Sequence, residues 1–301
     1  MSPRVTPRRV LGAALATILL CEVPSRAQGT SARESEGVAG PVHVLSAESA
    51  SARRVGDQLV EEKGRRRRHD TVTFDAAGHF SQREVMDDYG FPVGKETYSY
   101  ERGRIVEIVL NDEKGVLLER RRYGYSNADT PESLEVTARD GSSYVERYTR
   151  GTGGRLDRIT YLVEKREMGR TVFTYEGAAK EPAGVAFFDG LGNRGTAPVG
   201  PCLGAHRLEY RYANGALAER ALYEADGTLK RRSVYRYDER GNILEEVRSG
   251  GLSGARFTYE YEFDAHGNWI RRVGTTRYDM PGRAADGDDI VSVTYRTITY
   301  Y

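Results

Sequence analysis

Apolar and polar positions alternate with a period of two along most of the chain after residue 70. In Phe257–Phe263 every odd position is aromatic and every even one is Thr or Glu, and Arg207–Tyr212 sets Leu208, Tyr210 and Tyr212 on one side. Such alternation predicts strands with one buried and one wet face. The run Phe257–Phe263 ends on an aromatic-Asp-x-x-Gly signature. The signature stands at Phe74-Asp75 with Gly78, Phe188-Asp189 with Gly192-Asn193, Tyr237-Asp238 with Gly241-Asn242, and Phe263-Asp264 with Gly267-Asn268. Asp accepts hydrogen bonds from amides just downstream and Gly supplies a positive φ, so Asp75, Gly78, Asp189, Gly192, Asn193, Asp238, Gly241, Asn242, Asp264, Gly267 and Asn268 are expected as turn residues. A second strand follows the turn, as in Ile243 to Arg248 or Trp269 to Val273, and closes a hairpin.

Phe74, Tyr100 and Tyr125, then Phe188, Tyr212, Tyr237 and Phe263, recur at spacings of 26, 25, then 24, 25 and 26 residues. A period of about 25 marks a repeat architecture. Weaker turn signals sit half a unit away, at Asp112 to Gly115 and at Ala225-Asp226-Gly227. From Ser126 to Ala186 strands persist at Ser143 to Thr149, Arg155 to Leu162 and Thr171 to Tyr175, while the full signature fades. The pattern predicts an all-β, antiparallel β-hairpin repeat array, forming an extended, twisted or curled sheet over 70–279. Residues 280–301 supply a loop and a final strand that closes the sheet.

Upstream the texture differs. Residues 1–27 read as a signal peptide, with Arg4, Arg8 and Arg9 before the apolar run Leu11 to Cys21 and a small-residue site at Ser25-Arg26-Ala27. That run is short for a membrane span, so none is expected after cleavage. Arg8-Arg9 leaves a twin-arginine route open, and Leu20 before Cys21 argues against a lipid anchor. Residues 28–69, rich in Ser, Ala, Gly, Glu and Arg, read as a flexible linker, with a short helix over Val55 to Glu62. The expected address is periplasmic or secreted.

Removing residues 1–27 takes four Arg and one Glu, leaving 41 basic and 43 acidic residues. A mature charge near −2 gives no support for tracking phosphates, and no nucleic-acid partner is expected. Arg65–Arg68 reads as a solvated or processing-prone basic run. Cys202 is the single cysteine left, which excludes an intramolecular disulfide.

The signatures at Tyr237–Asn242 and Phe263–Asn268, with Phe188–Arg194 as a third, resemble the YD repeats of the RHS family. Tyr212-Ala-Asn-Gly-Ala-Leu217 is similar to MORN-like units. Both resemblances imply arrays of hairpins, and the first implies an accessory or remnant of an RHS-type toxin system as an alternative function.

The candidate chemistry is thin. His43, His69, His79, His206 and His266 occupy no metal-ligand spacing, and no cofactor is expected. Cys202 with His206 four residues on offers a thiol and a base, the basis of a hydrolase reading. Glu245-Glu246 and Asp238-Glu239 are adjacent pairs whose members point to opposite faces of a strand. Asp286 to Asp289 reads as a solvated acidic loop. Trp269, the single tryptophan, reads first as an apolar plug at the end of the sheet; alternatively, with Tyr259 and Tyr261 it forms the candidate ligand-binding surface, because rigid aromatic rings offer contact area at small entropic cost. The expectation is a non-catalytic binding or scaffolding module, taking a glycan or an envelope protein, with function on the Tyr side of the sheet.

Overall fold

The computed structural model describes residues 32–64, 66–126, 130–197, 204–250, 254–279 and 289–301. A short helix, α1 (Ala32–Ser35), precedes the strands β1 (Val42–Val55), β2 (Gln58–Glu61), β3 (Arg67–Arg68), β4 (Thr71–Phe74), β5 (Phe80–Met86), β6 (Pro92–Glu101) and β7 (Arg104–Asn111). Next come β8 (Leu117–Gly124), β9 (Ser133–Ala138), β10 (Ser143–Arg150), β11 (Leu156–Val163), β12 (Arg166–Thr174), β13 (Gly184–Asp189) and β14 (Arg207–Ala213). The last are β15 (Ala216–Tyr223), β16 (Leu229–Tyr237), β17 (Ile243–Ser249), β18 (Gly254–Phe263), β19 (Trp269–Asp279) and β20 (Ile290–Tyr300).

From β4 onward every strand pairs antiparallel with its successor, and β20 pairs with β1 over Val42–Ala52. β2, β3 and β4 lie end to end along β1, filling one place in the sheet. The result is a closed 18-strand antiparallel β-barrel. All-β architecture is thus as the alternation predicts, but the hairpins close a ring instead of stacking as an extended or curled sheet. The reason lies upstream. Val42–Val55, inside the stretch expected to be a flexible linker, is the longest strand, and Val55 to Glu62 turns through Gly56 into β2 where a helix was expected. β1 supplies β20 with a partner, so neither is left as an open edge.

The signature turn has one geometry. The amide of Asp238 donates to the Asn242 carbonyl (2.9 Å), Gly241 donates to the Asp238 carbonyl (3.1 Å), and Gly241 sits at φ +82°. Asp238 Oδ1 accepts from the Arg240 and Asn242 amides at 2.9 and 2.8 Å, and Asn242 Nδ2 donates to Oδ2 at 2.9 Å. This is a type I turn followed by a left-handed residue, which adds one residue to one strand. The same backbone pair recurs at Asp75, Asp87, Asp112, Ala138, Gly151, Asp189, Glu224 and Asp264. The half-unit turns are therefore the same object as the signature turns. His79 takes the Asn place, its Nδ1 lying 3.1 Å from Asp75 Oδ2. At Asp189 the Asn193 side chain and the turn amides hold the carboxyl below the usual carboxylate range.

One signature is out of phase. Phe188 follows Tyr125 by 63 residues, two and a half units, and this places its turn at the opposite end of the barrel from those at Asp75, Asp238 and Asp264. Phe187 is buried, whereas Phe188 points to the outer face between Arg170 and Arg194. Between Tyr175 and Tyr212 the unit is stretched by residues 190–206, where Ala197 and Ala205 pack on the core of Phe187, Leu208 and Leu222.

The buried face of the ring carries Phe74, Ile108, Leu134, Ile159, Phe173, Leu208 and Leu222, each under 8% exposed. The outer face is polar, with Lys95, Thr97, Ser99, Glu101, Arg147, Thr149, Arg232, Arg236, Arg256, Glu260 and Glu262 all exposed. A lipid-facing barrel needs an apolar belt about 25 Å tall; the outward positions just named are polar, and outward Ala52, Val273, Val291 and Val293 are gathered in one buried cluster with Leu59 and Tyr295. The basic run is divided by the strand. Arg66 pairs with Glu61 and lies 4.3 Å from the Tyr295 ring, Arg68 reaches Glu84 at 3.8 Å, and Arg67 lines an inner cavity. Of the described part of the run, Arg67–Arg68 is strand, while Arg66 and Arg67 remain exposed.

Candidate functional site

The Tyr-rich face turns inward. Its rings are fastened in series. Tyr100, Tyr125, Tyr175, Tyr237 and Tyr261 donate their hydroxyls to the carbonyls of Phe80, Ile105, Leu156, Leu217 and Ile243, each 18 to 20 residues earlier, at 2.8–3.0 Å. Tyr301 closes the series on Phe74 at 2.5 Å. The polar tip of the ring is thereby satisfied inside, which explains why the pattern uses Tyr more than Phe.

Between these clasps runs a belt of buried charge. Arg121 lies 3.1 Å from Glu96 and 2.5 Å from Glu119, and Tyr98 donates to Glu96 at 2.7 Å. Tyr148 donates to Glu146 at 2.8 Å, and Glu246 pairs with Arg248 at 2.7 Å. These charges share the parity of the aromatics, as Glu96 does with Tyr98 and Glu146 with Tyr148. Parity is the signal that would have found them, and alternation read as apolar against polar hides it. Burial raises the Glu146 carboxyl above its ordinary range, against the Tyr148 hydrogen bond that lowers it. A carboxyl raised on folding destabilises the native state above its unfolded pKa, and that cost disappears as pH falls below it. Glu146→Gln should therefore stabilise the barrel at neutral pH, by about 1.4 kcal/mol for each pKa unit removed, and have little effect near pH 4. Urea melts at the two pH values check this.

The structure brings the three expected aromatics together on one inward wall. Tyr261 and Trp269 meet edge-on with centroids 6.1 Å apart, and all three are half-buried. Arg272 lies 5.4 Å from the Tyr259 ring and 5.2 Å from Trp269, while Arg296 stacks at 3.7 Å from Trp269. Nothing in the alternation signals Arg296, because its partner ring is 27 residues away across two strands.

Beside this wall is a cavity of about 370 Å³, lined among others by Glu36, Arg67, His69, Asp70, Arg83 and Arg296. Glu36 belongs to residues 32–41, which strap the barrel mouth. Arg33 donates to the carbonyls of Val42 (2.9 Å) and Asp75 (2.8 Å), and Asn268 holds Ala39 through both its amide and carbonyl. Asn268, expected as a turn residue, thus also anchors the strap. His69 is held below its ordinary pKa by burial and then by Arg67, and shares a 2.9 Å hydrogen bond with Ser49.

The other candidates are scattered. Cys202 and Asp286 to Gly287-Asp288 lie outside the described residues, so the thiol reading has only His206 placed, near Arg194 and Glu224. Glu245 faces outward to Arg236 and Arg256, and Glu246 faces inward to Arg248, so the adjacent pair is split between faces. Asp238 is occupied in its turn. His266 stacks on Tyr300 and His43 on Tyr301.

No family model matches the chain, and no curated protein matches it. Solved structures that resemble it include a porin-like protein from Bacteroides uniformis, with a TM-score of 0.40 and 12% identity over 86% of this chain and 97% of that one. The Photorhabdus luminescens Tc holotoxin pore gives a TM-score of 0.33 and 14% identity over 76% of this chain and 14% of that one. A porin-like protein from Bacteroides vulgatus gives 0.32 and 10% over 84% and 97%. These are likenesses of antiparallel β architecture at low TM-score, and they carry no argument about function.

Proposed function

We propose that this chain is an exported, non-catalytic β-barrel that binds a glycan in its interior, on the wall formed by Tyr259, Tyr261 and Trp269. One observation carries the reading: three aromatic rings separated by strand and turn are gathered on a single inward wall next to a cavity. Aromatic walls with a few fixed polar groups are the usual make-up of a ligand site. The water-facing outer surface favours a barrel that works in solution, in the periplasm or outside the cell. The split of Glu245 from Glu246 and the commitment of each turn Asp to its own amides favour binding over catalysis.

Trp269→Ala and Tyr259→Ala should each weaken retention on a glycan array at least tenfold, an effect of the size that removal of an anchor ring produces. Melting monitored by circular dichroism, with Trp269→Phe as the conservative control, separates lost binding from lost folding. Undiminished retention by folded alanine variants would sink the wall as a binding surface.

A further inference from the structure

We propose that the cavity beside this wall selects glycans that carry a carboxylate, with Arg296 as the anchoring cation. The proposal rests on the interior-binding reading and narrows its ligand class to acidic sugars.

Most charges at the cavity are already partnered. Arg83 is paired with Glu36 and lies 3.7 Å from Asp70. Asp70 also accepts from the Met86 amide at 2.8 Å, and Asp87 accepts from the amides of Tyr89 and Phe91 at 2.9 Å. Arg67 donates to the Asp88 carbonyl at 3.1 Å. Arg296 differs. Its Nη2 reaches only a carbonyl, that of Glu36, at 3.3 Å, and it makes no ion pair among the described residues. Its Nη1 is buried without a hydrogen-bond partner. Beside it stand the Trp269 ring and a like charge, Arg272.

A buried cation without a counter-ion is costly, and an anion that enters the cavity removes that cost. Burial first, with Arg272 adding to it against the help of Glu36, lowers the Arg296 guanidinium to about 10, in keeping with a charge that lacks its partner. The planar guanidinium fork matches a carboxylate. His69, whose pKa burial and Arg67 lower, offers its ring nitrogens to sugar hydroxyls. A uronic acid combines the two requirements, a carboxylate for Arg296 and a ring for the aromatic wall.

Calorimetric titration of the full barrel with tri-galacturonate and with neutral trigalactose tests this. Tri-galacturonate should bind at least tenfold more tightly, and its affinity should fall as salt rises. Arg296→Gln should lower the affinity for the acidic sugar about tenfold or more relative to that for the neutral sugar, erasing the preference, and it should not lower the melting temperature, because it deletes an uncompensated charge. Arg296→Lys, which keeps the charge but loses the fork, should fall between. Glu36→Gln, which removes a negative charge from the cavity, should tighten the acidic sugar several-fold. Equal affinities for the two sugars, or unchanged acid affinity in Arg296→Gln, would overturn the proposal. If both bind equally and Trp269→Ala abolishes both, acid selection fails while interior binding stands. If neither binds, the proposal is overturned, and interior binding is judged by the glycan array alone.

Discussion

Ser46→Pro should destabilise the barrel by about 3 kcal/mol or more, enough to remove much of the stability of a typical domain. Ser46 lies in β1 opposite Thr297 of β20, with Leu45 opposite Val72 of β4 on the other side. A strand paired on both sides uses every amide, so proline there deletes a ladder bond and has no free edge to occupy. The ring then opens, and β20 and β4 become exposed edges. Ser46→Ala, which keeps the amide, should stay within about 0.5 kcal/mol of the parent. Residues 28–69 as a flexible linker would give the opposite result, with both variants unchanged. Equilibrium urea unfolding decides between them, and a proline variant with the parental midpoint would overturn the closed ring.

Arg121→Leu should cost about 3–5 kcal/mol, the range for a buried ion network that loses its central partner. The Arg121, Glu96 and Glu119 side chains are 9%, 4% and 7% exposed, so the variant strands two carboxylates away from water. The Tyr98 hydroxyl remains for Glu96, and one hydrogen bond does not replace a guanidinium. Removing all three charges as Glu96→Gln, Glu119→Gln and Arg121→Leu should restore most of the loss, since the cost lies in charge left unpaired. Thermal and urea unfolding of the single and triple variants measure both effects. A single variant within about 1 kcal/mol of the parent would show that water reaches this part of the interior.

Strand type, hairpin turns and the 25-residue period were legible because each is local. Alternation is set by neighbours two apart, and Asp238 meets its turn amides within four residues. Closure was not legible, because it depends on Val42–Ala52 finding β20, and β1 reads Ser-Ala-Glu-Ser-Ala-Ser-Ala over much of its length, with small side chains in place of an apolar stripe. The inward turn of the Tyr face follows from closure. Phe188 shows the limit of a motif: its turn chemistry is that of the other signatures, but half a unit of offset reverses both the end of the barrel and the face its ring occupies. At the candidate site the aromatic trio was legible from Phe257–Phe263 and the single tryptophan. Arg296 and Glu36 were not, because one comes from the far strand of the seam and the other from the strap.

The seam between β1 and β20 also sets an order of events. Every other pairing in the ring joins a strand to a near neighbour in the chain, whereas this one joins residues about 250 apart. As the chain emerges, hairpins can form one after another, each tyrosine fastening to backbone already made, while β1 has to wait for the eleven residues of β20. Closure is thus the final and slowest step, the kind that topology makes costly. Until it happens, two unpaired strand edges stand open, and a chaperone that shields β1 would act at the point where this barrel is most exposed to misassembly.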